Sequence, residues 1–345
     1  MKLKDFDYYL PKELIAQKPI SPRDHSRLMV VNRKTGEIQH TYFYQIDHFL
    51  QKGDVLVLNN SKVIPARLIG TKPETGGKIE VLLVRPNVKN LKNYQWSKEW
   101  FVIGRPGLKK GQKIIFPHGL EAEVKKEINY ERLIRFNQQG EKLKKIIYQI
   151  GVAPTPPYIK RLSNLKEYQT VYAKHLGSVA APTAGFHFTP RLIKKLQRKG
   201  VIFKYVTLHV GLGTFQPVKV ENIEEHKMES EWVEIDKKTA HSLNQAKRNH
   251  QRIIAVGTTS TRALESFATC RGILRSGQKF VDLFIYPGYH FKFIDALITN
   301  FHLPKSTLMM LVSAFAGREL IFKAYEEAIN NKYRFFSFGD AMFII

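Results

Sequence analysis

The stretch IIAVGTTSTRALES, residues 253–266, is an apolar run that stops at Gly257, passes through hydroxyl residues to Arg262 and continues in a helical pattern. A strand, a tight glycine turn and a helix start leave backbone N–H groups at the positive end of a helix dipole, where an anion or polar ligand is favoured. Gly257 lets a ligand come close, Thr258, Thr259 and Ser260 offer hydrogen bonds to ribose hydroxyls or a carboxylate, and Arg262 offers a charge. The same hydroxyls serve equally well as plain N-caps. Neither G-x-x-x-x-G-K-[ST] nor G-x-G-x-x-G is present, so the two familiar nucleotide loops are excluded.

Three more loops share this texture. SVAAPTAGFHFTP holds Thr183, Gly185 and His187; LHVGLGTFQPV holds His209, Gly211 and Gly213; LITNFHLPKSTL holds Asn300, His302, Lys305 and Ser306, with Asp295 just upstream. Imidazole is the side chain best suited to proton transfer near neutral pH, although a lone histidine also serves as a structural hydrogen-bonding group. A fifth loop, LNNSKVIPARL, places Asn59 and Asn60 at the end of an apolar strand, where they suit base-edge or ribose contacts, with Lys62 and Arg67 for phosphates. An Asx-type turn is the alternative reading of that loop.

The elements that must carry these loops are α/β in texture. From 54 to 137, short alternating or β-branched runs (DVLVLNN, ARLIGT, KIEVLLVRP, WFVIGRP, KIIFP, EAEVKKEI, ERLIRF) predict an all-β unit, a small barrel. The proline-dense GVAPTPPYIKR at 151–161 marks the return to mixed helices and strands. The expected organisation is a discontinuous α/β main domain of mixed α+β type, 1–62 and 152–345, carrying the active site and interrupted by a β-barrel domain at 63–151. PRLIKKLQRKG from 190 predicts an amphipathic helix whose Arg191, Lys194, Lys195, Arg198 and Lys199 form either a phosphate-contacting face or simply its wet side. Loops at the carboxyl ends of strands are where such α/β domains collect their sites.

A formal charge of +25 over 345 residues makes nucleic acid the leading partner class, with a lysine-rich solvated surface as the plain alternative. One cysteine, Cys270, excludes an internal disulfide and a cysteine-cage metal site, and none of the 12 histidines pairs at i, i+4, so no metal is expected. The start, MKLKDFDYYL, lacks a signal core, and the apolar stretch LMMLVSAFAG is about half a bilayer crossing. A cytoplasmic protein without membrane contact is the expectation.

Taken in order, the motifs FDYYLPKELIAQKPISPRDHSRLMV, VLNNSKVIPARL, YQTVYA, SVAAPTAGFHFT, HVGLGTFQPV, VGTTSTRALE, TNFHLPKSTLMMLVSAFAG and YRFFSFGDAM resemble the S-adenosylmethionine:tRNA ribosyltransferase-isomerase family of queuosine biosynthesis, almost end to end. The resemblance implies transfer and isomerisation of the ribosyl portion of S-adenosylmethionine onto 7-aminomethyl-7-deazaguanine at the wobble position of tRNA with a GUN anticodon. Epoxyqueuosine-tRNA, adenine and methionine would be the products. S-adenosylmethionine is then a consumed substrate, with no cofactor, no metal and no obligate protein partner. That chemistry needs a base for the 5′ carbon and an acid for departing adenine, roles for which His187, Asp295 and His302 are the candidates. Thr258, Thr259, Ser260 and Arg262 are the candidate donors to the methionine carboxylate and ribose. The family pattern leads us to expect a second histidine after His226 and Met228, where this chain has Glu229. An S-adenosylmethionine-dependent tRNA methyltransferase and a non-catalytic tRNA-binding module are the competing classes.

Overall fold

The computed structural model describes residues 1–88, 96–161, 163–211 and 218–345. The chain begins with β1 (Arg27–Val31), β2 (Ile38–Tyr42) and β3 (Val55–Asn59), followed by the short β4 (Ser61–Val63). Six strands come next: β5 (Arg67–Thr71), β6 (Lys78–Pro86), β7 (Glu99–Arg105), β8 (Lys113–Phe116), β9 (Leu120–Ile128) and β10 (Glu131–Phe136). Then follow α1 (Gly140–Ile150), β11 (His175–Ser178), α2 (Pro190–Arg198), β12 (Ile202–His209), β13 (Glu231–Ile235), α3 (Lys237–Arg248) and β14 (Ile253–Val256). The last elements are α4 (Thr258–Phe267), β15 (Gly277–Val281), β16 (Ala296–Asn300), α5 (Thr307–Ala316), α6 (Arg318–Asn330) and β17 (Ala341–Ile344).

These elements divide into two compact units. One comprises Met1–Ser61, Thr170–Lys174 and Pro182–Ile345; the other comprises Lys62–Gln169 and His175–Ala181. Residues 152–169 and 175–181 therefore group with the β-rich unit. In that unit β10-β7-β6-β5-β8-β9 closes into a barrel whose pairings are all antiparallel. Alternation explains it: the β5 pattern places Leu68 and Gly70 inside and Ile69 and Thr71 outside.

The other unit carries a nine-stranded sheet in the order β15-β13-β12-β3-β14-β16-β17-β1-β2. Its centre, β12, β3, β14 and β16, is parallel throughout, and β17 then runs antiparallel to β16 and parallel to β1. The run DVLVLNN, the first of the short β runs and on the main-domain side of the expected boundary at 62, is the central strand β3 of this sheet. Every residue of β3, β14 and β16 is buried. A strand covered on both faces is apolar without alternation, so periodicity alone does not distinguish it from a barrel strand. Leu192 and Leu196 of α2 join Leu56, Leu58, Val256, Ile298 and Phe343 in one core cluster.

The amino-terminal edge of the parallel strands is held by charge. Asp54, 1 % exposed and just before β3, accepts from Arg252 Nε at 2.9 Å and Nη2 at 2.5 Å, immediately before β14. Asp295, just before β16, accepts from Lys247 Nζ at 2.8 Å and from the backbone N–H of Ile253 at 2.7 Å. Removing one partner of a buried pair leaves a charge without compensation, a loss softened here by the partial exposure of Arg252. Arg252→Ala is expected to lower unfolding free energy by about 2 kcal/mol, read from urea denaturation; a change below about 0.5 kcal/mol would show that water replaces the guanidinium.

Candidate active site

Because β12, β3, β14 and β16 are parallel, Asn59, His209, Gly257 and Asn300 all fall at one carboxyl-terminal edge. The turn Thr183–His187 packs there as well. Thr183 Oγ1 donates to Asn300 Oδ1 at 2.9 Å, and Asn300 Nδ2 donates to His187 Nε2 at 3.1 Å. With Nε2 accepting, the His187 proton resides on Nδ1 and is donated to Ser26 Oγ, 2.7 Å away. The hydroxyl hydrogen of Ser26 is thereby left to point elsewhere. Ser26 lines a small cleft with Arg23, Phe186, His187 and Phe338, in which the Phe186 and Phe338 rings stack 5.9 Å apart.

Two glycines permit this convergence for different reasons. Gly257 adopts φ 88°, and a Cβ there would meet only ordinary contacts with Ala184 Cβ at 3.5 Å and Thr259 Oγ1 at 3.6 Å, so its requirement is conformational. A Cβ on Gly185 would lie 1.9 Å from the Tyr172 hydroxyl, so its requirement is space.

Helix α4 starts at Thr258 with Gly257 as N-cap and no side-chain cap. The hydroxyls of Thr259 and Ser260 are buried and have no hydrogen-bond partner among the described residues. They are not acting as caps, and a buried hydroxyl without a partner is costly unless a ligand or water supplies one. Thr261 instead closes onto Gly257 O at 3.2 Å. Arg262 is engaged within the protein: it forms a buried ion pair with Glu231 Oε2 and donates to Leu283 O at 3.0 Å. Glu231 Oε1 in turn accepts from the N–H of Gly211 at 2.9 Å. Glu265, fully buried on the same helix, accepts from the N–H groups of Lys292, Phe293 and Ile294 at 2.8, 3.0 and 3.1 Å. The charged residues of α4 therefore fix the helix, and only its first turn faces the site.

The other sequence-derived residues sort as follows. His302 follows Asn300 on the same turn; its Nε2 lies 2.8 Å from Thr299 Oγ1, and its backbone is held between Tyr325, whose hydroxyl accepts from its N–H, and Tyr8, which donates to its carbonyl. Asp295 stands at the opposite, amino-terminal edge, one strand length of five residues away, and is occupied by Lys247 and Ile253. Asn59 spends its amide on Leu208 and Ser61, and Asn60 accepts from Thr207. His209 stacks on Trp232 at 5.1 Å, and Lys305 pairs with Asp7 at 2.7 Å. Arg67 belongs to the barrel unit and pairs with Glu80 at 3.2 Å. Gly213 lies outside the described residues. Glu229 raises the pKa of the His226 imidazole, but burial outweighs it and the net shift is downward. Among the described residues no group of histidine, cysteine, aspartate and glutamate is placed to hold a metal, and no helix is long and apolar enough to cross a membrane. Ser26 was not anticipated; its one signal is a hydroxyl just before an apolar strand inside PRDHSRLMV.

Residues 3–344 match the family model described as "Queuosine biosynthesis protein". The chain belongs to the queuosine biosynthesis family. Within this family it is 54 % identical to a Carboxydothermus hydrogenoformans protein and 53 % identical to one from Halothermothrix orenii, each alignment covering 100 % of both chains. Both relatives are named S-adenosylmethionine:tRNA ribosyltransferase-isomerase. A crystal structure of S-adenosylmethionine tRNA ribosyltransferase from Thermotoga maritima is 39 % identical, with a TM-score of 0.55 over 99 % of this chain and 100 % of that one.

In this member of the queuosine biosynthesis family both site imidazoles are held neutral. Burial drives His187 down to about 3, with the cations of Arg23 and Arg334 adding to the fall, and burial alone drives His302 to about 3. An unfolded histidine titrates near 6.5, so below that pH the unfolded chain takes up protons that the folded chain refuses. The stabilisation is complete above about pH 6.5 and is lost as pH falls toward 3, at up to about 1.4 kcal/mol per pH unit for each histidine. Urea unfolding at pH 7 and pH 5 is expected to show this decline, with a shallower one in His302→Gln; equal slopes in the two proteins would remove His302 from the account.

Proposed function

We propose that this chain is an S-adenosylmethionine:tRNA ribosyltransferase-isomerase acting in the cytoplasm on tRNA with a GUN anticodon. It moves the ribosyl portion of S-adenosylmethionine onto the aminomethyl group of 7-aminomethyl-7-deazaguanine, isomerises it to the epoxycyclopentanediol of epoxyqueuosine, and releases adenine and methionine. The observation that carries this reading is the end-to-end identity, above one half, with relatives bearing that name. The carboxyl-edge cluster supports it by supplying the hydrogen-bonding groups that such a transfer needs.

The accepting amine belongs to the RNA, so no covalent protein intermediate is required, and the pocket must not favour the ammonium form of that amine. Thr259 and Ser260 are the donors to the methionine carboxylate or ribose hydroxyls, beside the uncapped N–H groups of α4. Neutral His187 and His302 are in the form a general base requires. Their low pKa nevertheless makes them weak acceptors, far from the value near 7 that favours proton transfer. His187 is accordingly a positioning residue: it fixes Ser26 Oγ as an acceptor from itself and turns the Ser26 hydrogen toward the cleft. Asp295 and Arg262 act on the framework rather than on substrate.

Label in the ribose carbons of S-adenosylmethionine is expected to enter tRNA while methyl label leaves with methionine and free adenine appears. Methyl label retained on RNA would support the methyltransferase reading, and binding without adenine release would support the binding module. Ser26→Ala is expected to reduce kcat about tenfold, the equivalent of one directed hydrogen bond, with tRNA affinity unchanged. Asp295→Asn is expected to lower Tm and leave kcat within about twofold; the reverse pattern in the two variants would overturn these assignments.

A further inference from the structure

The basic face of α2 forms one side of a surface groove. A cavity of about 780 Å³ is lined by Asp24, Tyr44, Arg191, Lys194, Lys195 and Arg198. The positive charges are not equivalent. Lys195 is tied to Asp47 Oδ1 at 2.8 Å, and Arg191 reaches Asp24 Oδ2 at 3.4 Å. Lys194 and Arg198 have no ion pair among the described residues and are exposed. Aromatic rings stand beside these cations. Tyr42 and Tyr44 stack 5.6 Å apart at an interplanar angle of 12°, His25 lies 5.0 Å from Tyr44 at a tilt of 43°, and Tyr42 is 48 % exposed.

The groove is anchored to the site by two short segments. Thr189 caps α2 by accepting from Leu192 N at 3.2 Å and donates to Asp24 Oδ2 at 2.7 Å. Asp24 is followed two residues later by Ser26, and Thr189 is preceded two residues earlier by His187. Whatever lies in the groove is therefore referenced to the Ser26–His187 pair through the part-buried Thr189–Asp24 contact.

We propose that this groove is the docking surface for a single-stranded stretch of the tRNA next to the modified nucleotide. Phosphates lie on Lys194 and Arg198, and a base stacks on exposed Tyr42, extending the Tyr42–Tyr44 stack. Cations interleaved with stacked aromatic rings are the arrangement that holds single-stranded RNA, in which bases offer π-faces and the backbone offers regular charge. The tied Lys195 and Arg191 shape the wall and neutralise Asp47 and Asp24, so the two unpaired cations carry the salt-dependent part of the affinity. The inference rests on the tRNA reading above and adds where the RNA sits.

The test measures tRNA affinity directly, without turnover, across a salt series. Combined Lys194→Ala and Arg198→Ala is expected to weaken binding and reduce the slope of log Kd against log salt by about 1.4, two contacts at about 0.7 each for a single strand. Lys237→Ala with Lys238→Ala, which removes two exposed charges on α3 of the same unit, is the control and is expected to change the slope by less than about half that amount. Tyr42→Ala is expected to weaken binding about tenfold, and Tyr42→Phe is expected to retain it. An unchanged slope in the α2 variant, or equal loss in the α3 control, would overturn the proposal. Release of adenine by a variant with an unaltered slope would remove the groove and keep the enzyme. A changed slope in a protein that releases no adenine would keep the groove and remove the enzyme.

Discussion

Asn300 has one amide that faces two ways, accepting from Thr183 and donating to His187. Its orientation sets the imidazole tautomer, and the tautomer sets which atom of Ser26 remains available. Three segments far apart in the chain, 26, 183–187 and 300, thereby share one chain of buried and part-buried hydrogen bonds. A reversed amide would set Asn300 Oδ1 against the carbonyl oxygen of Asp340, to which Nδ2 now donates at 3.5 Å, and two buried acceptors facing each other cost about 1–3 kcal/mol. The direction of the chain is therefore a property of the fold, and the neutral state of His187 follows from the same burial.

The sheet separates its polar residues by edge. At the amino ends of the parallel strands stand full charges, Asp54 with Arg252 and Asp295 with Lys247, all engaged with each other or with the backbone. At the carboxyl ends stand amides, hydroxyls and neutral imidazoles. Of the ionic side chains on α4, Arg262 is saturated by Glu231, and Glu265 by the backbone N–H groups of residues 292–294 just before the amino end of β16. The cations that act on this edge, Arg23 on the cleft wall and Arg334, add to the burial that keeps His187 neutral.

Much of this was legible in the sequence because it is local. Glycine followed by hydroxyls at the end of an apolar run announces a strand-to-helix turn, and Gly257 with Thr258–Ser260 is one. The barrel was visible from alternation, whereas β3, which the boundary at 62 left in the main domain, shows no alternation because it is buried on both faces. Long-range pairing was not legible. Arg262 looked free until Glu231, 31 residues away in sequence, took its guanidinium, and Asp295 looked catalytic until Lys247, 48 residues away, took its carboxylate. Ser26 was missed because nothing local marks it; its meaning comes entirely from His187, 161 residues further on.

The position of β17 carries a consequence for how the molecule comes into being. It lies between β16 and β1 in the sheet, so β1 and β2 join the sheet only through it. Its neighbour Asp340 accepts from the N–H of Arg27, a separation of 313 residues. On the ribosome the β1–β2 hairpin must wait, with one edge unpaired, until β17 has been translated and threaded alongside. Ser26 sits at the entrance to β1, so its place in the sheet depends on that late pairing. A chain that stops before β17 therefore lacks the one strand that joins β1, and with it Ser26, to the central sheet.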